Sequence, residues 1–276
     1  DAYTIRYIFQ VFYNGTESQA ARQVIYTDSD QVSFPVRLVP DRHYNFVVWA
    51  DVTTTAGKTL DTIHKLTIAQ ATAADIHYNT EDLTNITLKN TWVAMDETRD
   101  AFTGHFDTAV DGDKTPYNGA KSINFRLTRP FAKLRVITTD MKALNNIDIE
   151  PHNAVVTYMT QFHESFNAFN GQYGAETVSK THTFTIKDYD DNKANESKVL
   201  FTDYFFADDS DVVKFVMNVY EENTSLIKSN TFNTDIFVQR NYLTTIQGNI
   251  LTDGNNVTVT VDPAFDGYTN YNYPEV

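Results

Sequence analysis

Strict period-two alternation of apolar and polar residues constrains this chain more than any other feature. Tyr3, Ile5, Tyr7, Phe9 and Val11 share one face of an extended segment, while Thr4, Arg6 and Gln10 fall on the other. Phe34, Val36 and Leu38 alternate with Pro35 and Arg37. Tyr44, Phe46, Val48 and Ala50 make a third such face. Ile123, Phe125 and Leu127 alternate with Asn124, Arg126 and Thr128, and Ala132, Leu134 and Val136 alternate with Lys133 and Arg135. Val213, Phe215, Met217 and Val219 follow, then Val257, Val259 and Val261. An alternation of this kind places successive side chains on opposite faces of a half-buried antiparallel strand. The residues are β-branched and aromatic, which suits a pleated surface packed on one side.

Helical signal is thin. Asp140–Leu144 and Glu164–Phe169 each predict a single turn, since neither carries a long 3.6-period stripe. Many short strands punctuated by Gly, Asn and Asp predict an all-β sandwich rather than an α/β sheet. At 276 residues the chain has room for two such domains. Two strand patterns meet at Arg129-Pro130, and proline cannot donate to a ladder, so it belongs at a strand start or an edge. The expected division is therefore 1–129 and 130–276. The first part carries 12 basic against 16 acidic residues and the second 10 against 20, for nets of −4 and −10.

The overall charge of −14 argues against nucleic acid as a partner, because such a surface repels phosphate. No apolar run reaches the ~18 residues of a membrane-spanning helix. The chain has no cysteine, which removes disulfides, zinc–thiolate sites and thiol nucleophiles together. It begins at Asp1 without a charged-then-apolar leader, and reads as a processed fragment from which a signal peptide or lipid anchor has been removed.

No residue pattern supports catalysis or a metal. Seven histidines are present, none in a zinc spacing such as H-E-x-x-H, and His163-Glu164 lacks a second histidine four residues on. There is no G-x-S-x-G elbow and no phosphate-cradling glycine loop. Asp188–Asn192 resembles the start of a calcium loop, but Lys193 and Val199 stand where glycine and glutamate are needed. Asp208–Asp211 and Asp111-Gly112-Asp113 read as acidic turns. Glycoside hydrolysis needs two carboxyl groups at a set separation across a cleft, which no spacing here encodes. The expectation is a non-enzymatic protein with no cofactor and no metal. A second expectation concerns Trp49 and Trp92, which with nearby tyrosines could form a stacking platform for a glycan.

Three segments carry a resemblance to a known family. They are Ile5–Tyr13, then Phe34–Pro40 followed by Tyr44–Asp51, then Ile123–Val136; Arg240–Ile246 adds a late strand. In order and spacing they resemble the fimbrillin-like proteins of Bacteroidales, subunits of type V pili and putative cell-adhesion relatives. The resemblance implies two tandem transthyretin-like Greek-key β-sandwich domains with short peripheral helices. It implies a lipoprotein exported to the outer membrane and cell surface, where the fimbrium is built. Its partners would be other pilus or surface proteins, and host or glycan ligands. Family subunits assemble by β-strand addition, in some cases after an arginine-specific protease acts, and Arg22 lies in a segment read as an exposed loop. The alternative is a surface carbohydrate-binding β-sandwich using exposed aromatics. The resemblance also implies surface O-glycosylation at Thr62 in Asp61-Thr62-Ile63 and Thr108 in Asp107-Thr108-Ala109.

Overall fold

The computed structural model describes residues 3–13, 19–54, 62–64, 76–89, 97–111, 120–124, 126–178, 180–186, 197–253 and 256–263. The fold is all-β. In chain order the strands begin with β1 (Tyr3–Tyr13), β2 (Gln19–Thr27), β3 (Tyr44–Thr54), β4 (Thr62–His64), β5 (Tyr78–Asn79), β6 (Ile86–Leu88) and β7 (Ala101–Asp107). They continue with β8 (Phe131–Thr138), β9 (Asn153–Tyr158), β10 (Phe162–His163), β11 (Ser165–Phe166), β12 (Glu176–Val178) and β13 (Thr181–Thr185). The last are β14 (Lys198–Phe206), β15 (Val212–Tyr220), β16 (Leu226–Phe237), β17 (Leu243–Gly248) and β18 (Thr258–Asp262). Among the described residues the α-helix is α1 (Met141–Asn145), the turn expected after a strand at Asp140. The second expected turn, at Glu164–Phe169, is instead the short strand β11 followed by a tight turn, because Ser165 and Phe166 pair with Thr87 and Ile86 of β6.

The chain divides into two compact units. The first holds residues 1–92, 96–130 and 163–175; the second holds 93–95, 131–162 and 176–276. The chain passes from the first unit to the second between Pro130 and Phe131, and residues 163–175 belong with the first unit.

The first unit is built on a five-stranded antiparallel sheet in the order β4-β2-β1-β3-β7. Its alternation was expected to leave one face polar and open. Both faces are buried instead. Arg6, Gln10, Asn45 and Asp51 lie on the second face with Ile8, Val47 and Trp49, and all are covered. The reason is a further layer, the sheet β11-β6-β5, whose Tyr78 ring meets Trp49 edge-on at 5.2 Å. Polar groups on that face are buried because they are paired: Arg6 Nε and Nη2 donate to the two carboxylate oxygens of Asp51 at 2.8 and 2.6 Å.

The second unit is a two-sheet sandwich. One sheet runs β13-β9-β15-β16 and the other β14-β8-β17-β18, with β8 and β17 parallel and the remaining pairs antiparallel. Leu134, Val136, Val156, Tyr158, Phe201, Phe205, Phe215, Met217 and Ile246 form its core. Strand β15 keeps the predicted alternation faithfully, with Val213, Phe215, Met217 and Val219 buried and the residues between them half-buried. Gly248 ends β17 where the neighbouring chain comes close, since a Cβ there would sit 2.7 Å from the Val257 backbone.

Candidate functional site

In the first unit the apolar face formed by Tyr7, Phe9, Val11, Ile25, Tyr44, Phe46 and Val48 is covered in an unusual way. The cover consists of two extended segments, not a paired sheet. Val32, Phe34, Val36 and Leu38 point alternately into the face, and so do Ile123 and Leu127. Both segments were expected to be ladder strands. They are extended, but among the described residues neither carries a strand ladder; Phe125 lies outside the described residues. The face is accordingly less sealed than its reverse. Tyr7, Phe9, Ile25 and Val48 keep 6 to 8% exposure, whereas Ile8, Val24, Val47 and Trp49 on the reverse keep none.

The two segments sit over different parts of the sheet. Phe34 stacks on Phe9 at 5.0 Å, and Gln23 Nε2 donates to the Pro35 carbonyl at 3.1 Å, so residues 31–39 lie over β1 and β2. Thr103 and Thr128 exchange backbone hydrogen bonds at 2.8 and 2.9 Å, which ties the other segment to β7. Arg129 fixes its end by donating two hydrogen bonds to the Asp100 carboxylate, each at 2.6 Å, and by standing 4.5 Å over the Phe102 ring. Phe46, on β3, stacks with both Phe9 and Phe106. The cover of this apolar face is thus extended chain packed through alternate side chains, with Thr128 pairing its main chain to β7.

Side chains hold the first segment. Tyr7 Oη donates to the Ser29 carbonyl at 3.0 Å. Tyr44 Oη donates to the Val39 carbonyl at 3.1 Å and accepts from the Val39 amide at 3.0 Å. Burial, and then the charge of Asp30, raise the Tyr7 phenol above its ordinary value, so it stays a donor.

The second unit has exposed apolar surface of its own. Val257, Val259 and Val261 were read as the buried face of a strand, but they are 39, 51 and 43% exposed. Val259 lies opposite Ile246 and Val261 opposite Thr244, so these valines continue the core side of their sheet. They lie on β18, the last strand of that sheet, and none belongs to the core that holds Ile246. A pocket of about 270 Å³ opens at one end of the same unit, against Phe162, Phe205, Val213 and Val238, with Thr160 and Asp211 also on its wall.

Trp49 is fully buried against Tyr78 and offers no ring to a glycan, which corrects the stacking expectation for it. Trp92 lies outside the described residues. Thr108 is also fully buried, and its Oγ1 accepts a hydrogen bond from the Tyr44 amide at 2.8 Å. The surface position expected for Thr108 as a glycosylation acceptor is therefore corrected. Thr62 pairs with Tyr26 in β4, and its side chain lies outside the described residues. Arg22 is buried within β2, where Nη2 donates to the Thr80 carbonyl at 2.9 Å, and it is not in an exposed loop. Asp208 and Asp211 accept amide bonds from within their own turn, from Ser210 and Asp208 respectively. Asp188–Asn192 lies outside the described residues. The tyrosine contacts at Ser29 and Val39 had no sequence signal beyond Tyr7 and Tyr44 occupying inward positions.

A family model described as "Family of unknown function (DUF6562)" matches residues 1–274. The chain belongs to this family. No curated protein matches it. Among solved structures, it is similar to the tip fimbrial protein Mfa3 from Porphyromonas gingivalis with C-terminal truncation. That likeness has a TM-score of 0.50 and 11% identity, over 94% of this chain and 93% of that one. A fimbrial assembly protein from Parabacteroides distasonis ATCC 8503 is similar with a TM-score of 0.45 and 14% identity, over 93% and 90%. This member of the family thus shares the β-sandwich fold of a fimbrial protein, in line with the fimbrillin-like resemblance of its sequence. No helix among its described residues is long and apolar enough to cross a membrane.

Proposed function

We propose that this protein is a fimbrillin-like surface adhesin or pilus-associated structural subunit that acts through β-strand addition and not through catalysis. The observation that carries this reading is the apolar face of β1, β2 and β3 in the first unit. It is covered by two extended segments that carry no strand ladder among the described residues. The likeness to a tip fimbrial protein supports it. On this reading the chain is exported to the cell surface, its partners are other pilus or surface proteins, and its two compact units act as two domains.

The test is size-exclusion chromatography with light scattering across a wide concentration range. It is repeated after limited digestion with an arginine-specific protease. Assembly into ladders that survive SDS is the expected result. A monomer under every condition would remove strand addition between copies of this chain.

A further inference from the structure

We propose that β18 is the interface of a homodimer, in which a second copy of this chain lays its own β18 antiparallel against the first, edge to edge, across a two-fold axis at Val259. The interface lies in the second unit and does not rest on the function proposed above.

Strand β18 ends the sheet β14-β8-β17-β18, and among the described residues no strand pairs with its outer side. Such an edge presents a row of main-chain donors and acceptors, which proteins guard with charge, proline or a bulge. The opposite edge of the same sheet is guarded: β14 carries Lys198 and Asp203, and its register shifts between Val199 and Phe201. Residues 257–261 have none of these devices. They hold no charge and no proline, and β18 pairs with β17 without a shift. Both faces of the strand are open. Val257, Val259 and Val261 are 39, 51 and 43% exposed, and Thr258 and Thr260 are exposed between them.

The order of these residues selects the occupant. Val257-Thr258-Val259-Thr260-Val261 reads the same in both directions. Antiparallel partners run in opposite directions, so a palindrome set against a second copy of itself places like opposite like. Val259 then faces the second copy's Val259, Val257 faces its Val261, and Thr258 faces its Thr260. Apolar meets apolar on the face that carries Ile246, and Thr–Thr pairs form on the other. A slip of one residue would set every valine against a threonine. A slip of two keeps the match but leaves a valine of each copy unpaired. The ends fit as well. Asp262 comes beside the second copy's Asn256 and not beside an acid. Asn256 turns the chain with φ 56°, and Pro263 cannot continue a ladder. The pairing is closed, so it yields a dimer and no filament. Each copy carries a charge of −14, so salt strengthens the dimer by screening the repulsion.

The test uses the whole chain. It has no cysteine, so a single introduced one reports its own neighbour. Val259→Cys sits on the axis and should form an intermolecular disulfide with oxidised glutathione. In Val257→Cys alone, or Val261→Cys alone, the two thiols belong to residues about 14 Å apart along the strands, beyond the ~7 Å that a disulfide spans. Val259→Cys should therefore cross-link about tenfold faster than either, and mixing the other two variants should restore the rate. Light scattering at rising concentration and high salt should show the mass doubling for the wild type. Val259→Lys puts two like charges on the axis and should keep the single mass, with its β circular dichroism unchanged. Equal cross-linking of all three cysteine variants, or a single wild-type mass at every concentration and salt, would overturn the dimer. Ladders after arginine-specific digestion in a chain that fails the cysteine test would keep the proposed function and remove this interface. Cross-linking specific to residue 259 without ladders would do the reverse.

Discussion

Arg6 and Asp51 face each other across β1 and β3 as a doubly hydrogen-bonded ion pair, with side chains 0% and 2% exposed. The pair lies on the reverse of the apolar face, beneath the layer that carries Tyr78. Removing one partner strands a charge where water cannot reach it. Asp51→Ala should therefore lower the unfolding free energy by about 3–5 kcal/mol, measured by urea titration. The double variant Arg6→Met/Asp51→Leu should recover most of that loss, because no charge is left buried. A double variant as unstable as Asp51→Ala would show that the pair is worth more than its apolar replacement.

Asp140 gathers the end of the second unit. Its carboxylate accepts from the Leu251 amide at 3.0 Å, and from the Thr252 amide and hydroxyl at 2.7 and 2.8 Å, while Thr138 Oγ1 donates to its other oxygen. Asp140→Ala orphans several of these donors. A loss of about 2–3 kcal/mol is expected, with hydrogen exchange accelerated at 250–252 and unchanged in β1 and β3.

Thr224 closes the turn between β15 and β16 with φ 70°, a left-handed conformation that β-branched residues adopt at a cost. Thr224→Gly should stabilise the protein by about 0.5–1 kcal/mol, since the relief of strain exceeds glycine's greater freedom when unfolded. A lower thermal midpoint would contradict this.

Tyr78 sets an alkaline limit. Burial, ahead of the neighbouring charges, raises its phenol well above the ordinary 10.0, and its hydroxyl donates to the Arg99 carbonyl. In the unfolded chain the phenol ionises near pH 10; in the folded chain it stays neutral. The stability it contributes is thus whole below pH 10 and is lost progressively as pH rises beyond it. The slope of stability against pH between 10 and 11.5 should be shallower in Tyr78→Phe than in the wild type.

Val259 and Ile246 occupy opposed positions on neighbouring strands, yet one is half exposed and the other sealed. Val259→Thr should change stability by less than about 0.5 kcal/mol. Ile246→Ala should cost about 2–5 kcal/mol, both read from denaturation midpoints.

These contrasts show what the sequence made legible. Alternation located the strands well, because a pleat enforces it on any surface that buries one side. It could not report what lies over each face. Arg6 and Asp51 read as the wet side of a strand, and no local rule shows that residues 76–89 and 163–175 supply a second cover. Phe34, Val36 and Leu38 alternate as well as any ladder strand, yet carry no ladder, since pairing depends on a neighbour and not on the segment itself. The valines of β18 look like core for the same reason: the pattern describes the strand, and not its place as the last strand of its sheet. Trp49 and Thr108 were misplaced because short motifs and single large rings say nothing about depth.

The parallel pairing of β8 with β17 has a consequence in time. Phe131–Thr138 is made more than a hundred residues before Leu243–Gly248, the strand it must lie beside. The five-stranded sheet of the first unit closes from strands much nearer in sequence. Chain closure over long separations is slow, and contacts that demand it come late. During synthesis the first unit can therefore complete its main sheet while β8, buried along its whole length in the finished protein, still waits with its apolar side chains bare. The second half of the chain is the part that needs shelter from other chains while it folds.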